Sequence, residues 1–215
     1  MGVIEVAEVI GEAVLRLRFG MLPKLALWLR APPVPKALPI TTCVGRSSMA
    51  SFKSMKTCES FGPLARVLTG AINYTQITEF EGDALPIVPH IGRLELNEVL
   101  RARGKDHVVI ISASHCGNSA VFGKDELVSA EEAGCRAVVV LGFVGQSEAI
   151  RKARIPILAY GCTPRLLRKD EGIAYTGILD CEAGLITSAE YVVGDADGVV
   201  AVEKEQFQSK FRVKT

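Results

Sequence analysis

The chain has 215 residues, of which 48% are apolar and 23% are charged, and this composition excludes a disordered chain. Its 25 lysines and arginines against 24 aspartates and glutamates give a net charge of +1, so no general basic field is present to attract nucleic acid. No apolar run reaches the roughly 18 residues of a membrane span. Six cysteines without a Cys-x-x-Cys pair are typical of free thiols, and we expect a cytoplasmic protein.

The first part of the chain predicts a helical extension. Apolar residues at helical spacing over 3–19 predict an amphipathic helix, and a second short helix is predicted over 22–30. A proline-rich segment then forms a stiff linker. We therefore expect an extension over 1–35, which packs on the domain or on a neighbouring subunit, and one α/β domain over 36–215. A helix lying on a membrane surface is the alternative.

The next region mixes several signals. The β-branched and aromatic residues of Val67–Thr75 predict a strand, whereas glycine and proline in Gly82–Pro89 predict a loop. Leu94–Arg103 is predicted to be a helix that closes at Gly104.

From residue 107 onward, strands and helices alternate. Unbroken apolar runs predict three buried strands, and the segments between them predict two helices. This order favours a parallel sheet with helical crossovers. Short β elements and a helical tail follow. The predicted strands are 107–111, 137–141 and 155–160, and the predicted helices are 124–133 and 147–153.

A polar loop follows the first of these strands, at the edge where open α/β sheets bind ligands. This loop, Ser112–Ser119, contains an imidazole at His115 and a thiol at Cys116. His115 is a candidate acid or base near neutral pH, and Cys116 is a candidate catalytic thiol. The alternative is an ordinary polar loop.

The helix that begins after this loop is a candidate anion site. Free backbone N–H groups at Gly123, together with the ammonium of Lys124, can hold a carboxylate or a phosphate. Asp125 and Glu126 belong to the same stretch. They are equally explained as acidic residues that stabilise the first turn of a helix, so plain capping is the alternative.

Taken together, residues 104–202 resemble the RraA-like family, which includes the 4-hydroxy-4-methyl-2-oxoglutarate aldolases and the regulators of ribonuclease E. Four stretches carry the resemblance, and a weaker similarity covers Phe61–Ala71. The four stretches are Gly194–Val200, Ala159–Arg165 with its G-x-T-P-R-like turn, Ala120–Cys135, and Val138–Val144.

The resemblance implies a swivelling β/β/α fold that assembles as homotrimers or homohexamers, with the active site between subunits. The family's aldolases cleave a 4-hydroxy-2-oxo acid with the help of a divalent metal such as Mg²⁺. Their signature is an acidic residue followed further along the chain by an adjacent Arg-Asp pair. The Arg binds the oxo acid and the Asp anchors the metal.

This sequence departs from that signature at every position. Lys124 stands at the acidic position, Gly145 at the arginine and Gln146 at the metal-anchoring aspartate. An amide is a poorer Mg²⁺ ligand than a carboxylate, and glycine cannot clamp a carboxylate. We therefore predict no cofactor.

Three functions remain open. The first is an enzyme with altered, metal-independent chemistry on a small oxo acid or related carbonyl compound: a lyase, decarboxylase, dehydratase or isomerase. Lys124 would then bind the anion or form a Schiff base, with Gly123–Glu126, Gly145 and Gln146 around the substrate. The second is a non-catalytic oligomeric module that binds or regulates a partner. The third is a metal-dependent aldolase.

Overall fold

The computed structural model describes residues 53–89, 94–113, 116–167 and 174–211. The predicted extension over 1–35 lies outside the described residues. Within the described ranges, no helix is long and apolar enough to cross a membrane.

The described residues form helices and short strands in a mixed α/β order. The helices are α1 (Lys53–Phe61), α2 (Leu94–Arg103), α3 (Lys124–Ala133), α4 (Ser147–Ile150) and α5 (Lys204–Phe211), with a 3-10 turn at Gly62–Leu64. The strands are β1 (Arg66–Leu68), β2 (Ile72–Asn73), β3 (Phe80–Pro89), β4 (His107–Ser112), β5 (Ala120–Phe122), β6 (Ala137–Val144), β7 (Ile157–Cys162), β8 (Ala174–Thr176), β9 (Leu179–Cys181), β10 (Gly184–Ile186), β11 (Glu190–Gly194) and β12 (Val199–Glu203).

Ten of the described strands form one sheet. Its order is β1-β12-β11-β3-β4-β6-β7-β2, with β5 beside β6 and β8 beside β3. Strands β3, β4, β6 and β7 run parallel, while the outer pairs are antiparallel. Strands β9 and β10 form a separate antiparallel hairpin. The parallel centre confirms the predicted crossovers.

Two helix predictions are confirmed at both ends. Helix α2 ends at Arg103, and the N–H of Gly104 donates to the carbonyl of Leu100. Helix α3 covers Lys124–Ala133 and ends at Gly134, whose φ of 78° lies in the left-handed region that glycine adopts without a Cβ penalty.

The prediction of a loop over Gly82–Pro89 is wrong, because this stretch lies within the ten-residue strand β3. One part of β3 pairs with β11, another with β8, and β4 lies along its other side. A Cβ at Gly82 would lie 3.1 Å from the carbonyl oxygen of Asp106, so this glycine permits close packing. The glycine and the prolines of this stretch are therefore strand residues.

The prediction of one strand over Val67–Thr75 is also wrong. The chain forms β1, turns at Gly70 with a φ of 81°, and continues as β2. The two strands lie at opposite ends of the sheet order, β1 beside β12 and β2 beside β7. A left-handed glycine therefore divides an apolar run into two separate pairings.

Alternate residues of the central strands face two hydrophobic cores. In β4, Val109 and Ile111 face the core that contains Leu100 and Leu127 of the helices. Val108 and Ile110 face the opposite core, beneath the β9–β10 hairpin. All four of these strand side chains are fully buried. The central strand is therefore apolar on both faces, as expected for a parallel strand covered on both sides.

A buried carboxylate joins the two ends of the described chain. Asp195 accepts hydrogen bonds from the backbone N–H of Ser54 at 2.8 Å, from the Ser54 hydroxyl at 2.7 Å and from the N–H of Asp197 at 3.0 Å. The last of these closes a tight turn between Asp195 and Asp197. Burial opposes ionisation of Asp195, but these hydrogen bonds lower its pKa below the ordinary aspartate value. Helix α1 is therefore capped by a residue 141 positions away.

Candidate functional site

A cavity of about 750 Å³ lies where three neighbouring parallel strands end. Strand β6 pairs in parallel with β5 on one side and with β7 on the other. Their last residues are Phe122, Val144 and Cys162. Ligands of open α/β sheets commonly bind at this carboxyl edge. The cavity is lined by Lys124, Gln146, Ser147, Glu148, Ala149, Lys152, Cys162, Thr163 and Pro164.

Lys124 begins helix α3 and lines this cavity with an exposed side chain. Its backbone N–H donates to the side-chain oxygen Oε1 of Gln146 at 2.8 Å. The amide oxygen therefore satisfies one of the N–H groups that a helix leaves unpaired at its start. This amide oxygen occupies the position at which the predicted anion would accept the Lys124 N–H.

Glu126 supplies one half of a capping box at this helix start, because Gly123 has no side chain to supply the other half. The buried carboxylate of Glu126 accepts the N–H of Gly123 at 2.8 Å. A Cβ on Gly123 would lie 2.8 Å from Oε1 of Gln146, so a glycine here allows the amide to approach. The exposed Asp125 accepts a hydrogen bond at its backbone oxygen from Ser129. Glu126 and Asp125 thus have helix-stabilising positions, as the capping interpretation predicts.

Gly145 and Gln146 follow strand β6 in a tight bend. The N–H of buried Gly145 donates to the carbonyl of Phe122 at 2.8 Å. A Cβ there would lie 3.1 Å from the side chain of Leu166, so a larger residue would displace its neighbours. Gln146 has φ 53° and ψ 49°, a left-handed backbone uncommon for a residue with a Cβ. This bend directs its amide to the start of α3.

Neither candidate in the preceding loop, His115 or Cys116, is among the described residues of the cavity. His115 lies outside the described residues. Cys116 is half-buried, packs against the core beside the helices, and donates its N–H to the carbonyl of Ala113 at 2.9 Å. Burial raises the pKa of its thiol. It is not among the described residues that line the cavity.

Seven of the nine described lining residues were not among the sequence candidates, and they include Lys152, Cys162 and Thr163. Lys152 follows helix α4, and Cys162 and Thr163 lie at the end of β7. Cys162 is exposed. The N–H of Thr163 donates to the carbonyl of Val144 at 3.0 Å, which fixes the end of β7 beside β6. The signal for Cys162 and Thr163 was their place at the end of a parallel strand, the same signal that drew attention to the loop after β4, whereas Lys152 follows a helix and carries no such signal.

A family model described as RraA-like, Aldolase/RraA, matches residues 52–201. The chain belongs to the RraA-like family. The mixed α/β fold expected from the resemblance is thereby confirmed.

Individual RraA-like relatives are distant in sequence. A protein of Alcanivorax borkumensis, named as a candidate 4-hydroxy-4-methyl-2-oxoglutarate aldolase, is 22% identical over 162 residues, 72% of this chain and 98% of the relative. The RNA-processing inhibitor RraA from Thermus thermophilis is 21% identical with a TM-score of 0.62, covering 69% of this chain and 91% of that one. Streptomyces coelicolor RraAS2, described as an unusual member of the RNase ES inhibitor family, is 20% identical with a TM-score of 0.63, covering 74% and 83%. These structures share the fold.

The described residues of this RraA-like cavity do not fit the divalent metal that the family resemblance implies. Mg²⁺ prefers carboxylate oxygens, and Glu148 is the one carboxylate among the described lining residues. The oxygen of Gln146 is neutral and already accepts a backbone hydrogen bond. The described ranges also contain no group of three or more His, Cys, Asp or Glu side chains able to hold a metal.

Proposed function

We propose that this RraA-like chain binds a small carboxylate, an oxo acid, in the cavity at the ends of β5, β6 and β7. The observation that carries the proposal is the set of groups around the cavity. Two ammonium groups, Lys124 and Lys152, and the hydroxyl of Thr163 line one space with a single carboxylate, Glu148. This excess of positive charge favours an anionic ligand, and Thr163 supplies a hydrogen bond donor.

The proposed chemistry is metal-independent and of the lyase, decarboxylase, dehydratase or isomerase type. These reactions develop negative charge on the carbonyl oxygen of an oxo acid, and a positioned ammonium stabilises such charge. Lys124 is the first residue of α3, and the dipole at the N-terminus of this helix also favours an anion. Its amine can instead attack the carbonyl carbon and release water, which gives a Schiff base. In either role, Lys124 replaces the arginine and metal of the aldolases.

Isothermal titration with pyruvate and oxaloacetate, with and without Mg²⁺, tests this proposal. We expect metal-independent binding by the wild type and by Lys105→Ala, a control lysine that is exposed in the turn before β4. We expect Lys124→Ala to bind at least tenfold more weakly, because a hydrogen bond between charged groups contributes about 1.5–3 kcal/mol. Equal affinity in Lys124→Ala would refute the role of Lys124.

Metal-dependent binding in that titration would favour the true aldolase instead. The Alcanivorax borkumensis relative carries an aldolase name. The donor set around Gln146 argues against the same mechanism here, and the arm with Mg²⁺ decides between them. The absence of binding in every condition would refute an oxo-acid site.

The second candidate function is a non-catalytic oligomeric module, and exposed apolar side chains favour it. Ile72 of β2 is 62% exposed and pairs with Ala159, next to the exposed Tyr160 of β7. Ile178, beside the β9–β10 hairpin, is 67% exposed. Exposed apolar side chains of this kind often mark contacts between proteins. Two relatives of the same fold are titled as inhibitors of RNA processing or of a ribonuclease.

Light scattering coupled to gel filtration tests the assembly. We propose a homotrimer or homohexamer, and we expect Ile72→Asp to lower the measured mass by disrupting an apolar contact. A monomeric wild type would refute the assembly. An oligomer that binds no oxo acid would favour the regulatory module over the enzyme.

A further inference from the structure

The cavity holds a thiol in a setting different from that of the other described cysteines. Cys162 ends strand β7, is exposed and lines the cavity beside Lys124. By contrast, Cys135 is buried, and Cys58, Cys116 and Cys181 are half-buried. A thiol needs access to its target, so Cys162 is the described cysteine best placed to react.

The backbone holds this thiol in a defined place. Cys162 is in register with Val144 of β6, and the next N–H along the chain donates to the carbonyl of the same Val144. A residue on a paired strand is positioned more narrowly than one on a free loop. The end of β7 therefore directs the thiol toward the cavity shared with Lys124 and Lys152.

The surroundings of Cys162 are polar and charged. Lys124 and Lys152 line the same cavity as Cys162, so a thiol and two ammonium groups share one space.

We infer that Cys162 is a nucleophile that captures the carbonyl carbon of the bound oxo acid as a reversible thiohemiketal. This inference rests on the proposed function. The cysteine proton leaves to solvent, the sulfur forms a bond to the carbonyl carbon, and the π pair of the C=O bond moves to oxygen. That oxygen takes a proton from solvent or from an ammonium group. The net reaction adds the thiol across the C=O bond and needs no oxidant or reductant.

The charge arrangement specifies the substrate class. A ligand needs a carboxylate for the ammonium groups of Lys124 and Lys152, and an adjacent electrophilic carbonyl for the sulfur. A 2-oxo acid carries both groups on neighbouring carbons. A simple ketone lacks the anion, and a 2-hydroxy acid such as lactate lacks the electrophile. We expect neither to form the adduct.

Carbon-13 NMR with pyruvate labelled at its ketone carbon tests the inference directly. With the wild type, we expect the bound carbon to move from the ketone region to the region of saturated carbon. Cys162→Ser should bind pyruvate without that change, because a serine hydroxyl is a far weaker nucleophile. Lactate serves as the ligand control. Trapping with borohydride distinguishes the alternative, since a Schiff base at Lys124 is reduced to a stable label and a thiohemiketal is not.

The outcomes separate this inference from the proposed function. If the wild type does not bind pyruvate, the proposed function fails and the carbonyl capture fails with it. If pyruvate binds equally to the wild type and to Cys162→Ser with its ketone resonance unchanged, only the inference about Cys162 is overturned. If borohydride labels Lys124, the lysine is the nucleophile and the inference is likewise overturned.

Alkylation gives an independent readout without the substrate. We expect iodoacetate, an anion, to modify Cys162 several times faster, relative to neutral iodoacetamide, than it modifies a reduced free cysteine. Lys124→Ala and Lys152→Ala should each lower this ratio, while Lys105→Ala should not. Peptide mapping by mass spectrometry identifies the alkylated residue. A ratio at Cys162 equal to that of free cysteine would overturn the inference, because the thiol would then not share its site with the cations.

Discussion

Replacing Gln146 by alanine or by glycine separates two contributions of this residue. Both variants remove the amide oxygen that accepts the N–H of Lys124 at 2.8 Å. They differ by one Cβ at a position where φ is 53°. Alanine retains the cost of a left-handed backbone, and glycine removes it.

The magnitudes follow from these two features. Loss of a hydrogen bond lowers the free energy of unfolding by about 0.5–1.5 kcal/mol. We expect a loss near the middle of this range, because the exposed amide of Gln146 is accessible to water. A left-handed residue with a Cβ costs roughly 1 kcal/mol more than glycine. We therefore expect Gln146→Ala to be about 1 kcal/mol less stable than the wild type, and Gln146→Gly to be close to the wild type.

The same two variants should bind small carboxylates more tightly. Removal of the amide frees the Lys124 N–H for a ligand, and a gain of about 1 kcal/mol corresponds to roughly fivefold in affinity. Urea unfolding measures the free energies of unfolding, and titration with pyruvate measures the affinities. Weaker pyruvate binding in both variants would refute the reasoning, because it would mean that the amide contacts the ligand instead of competing with it.

Three further substitutions test how the fold supports the site, each by urea unfolding. Gly134→Ala should lose about 1 kcal/mol, because φ is 78° at the end of helix α3; an unchanged stability would contradict the need for glycine there. Gly194→Ala should lose about 1–3 kcal/mol, because its Cβ would lie 2.2 Å from the ring of Phe80; a smaller loss would show that the ring moves freely. Asp195→Asn should lose about 1–3 kcal/mol near neutral pH, whereas Asp197→Asn, at an exposed position, should lose little. Because the folded pKa of Asp195 is lowered, its stabilisation is present above the ordinary aspartate pKa and is lost as the pH falls through the folded value; the asparagine variant should lack that part of the acid dependence.

The sequence predicted best those elements whose signals are local. Helix α3 was predicted at both ends because an apolar period, acidic residues in its first turn and Gly134 all lie within a few residues of one another. The central strands were predicted because both of their faces are apolar. Strand β3 was mistaken for a loop because its pairing with β11 and β4 joins residues far apart in the chain.

Only part of the site was predicted, because only some of its residues have a local signal in the sequence. Lys124 was found because its helix start is visible in the sequence, and it does line the cavity. Lys152 and Cys162 were missed because their place beside Lys124 depends on the order of β5, β6 and β7 in the sheet. Two further features are tertiary: Leu166 lies close to Gly145, and a left-handed bend directs Gln146. No local signal therefore shows that an amide lies at the helix start.

The bond between Ser54 and Asp195 has a consequence for the order in which the protein forms during synthesis. Helix α1 emerges from the ribosome long before its cap, which lies 141 residues later. At roughly 5–20 residues per second, that delay is about 7–28 seconds. Strand β1 is likewise synthesised long before β12, the strand with which it pairs. The nascent chain must therefore keep its first described helix and strand without their final partners while the intervening residues are made.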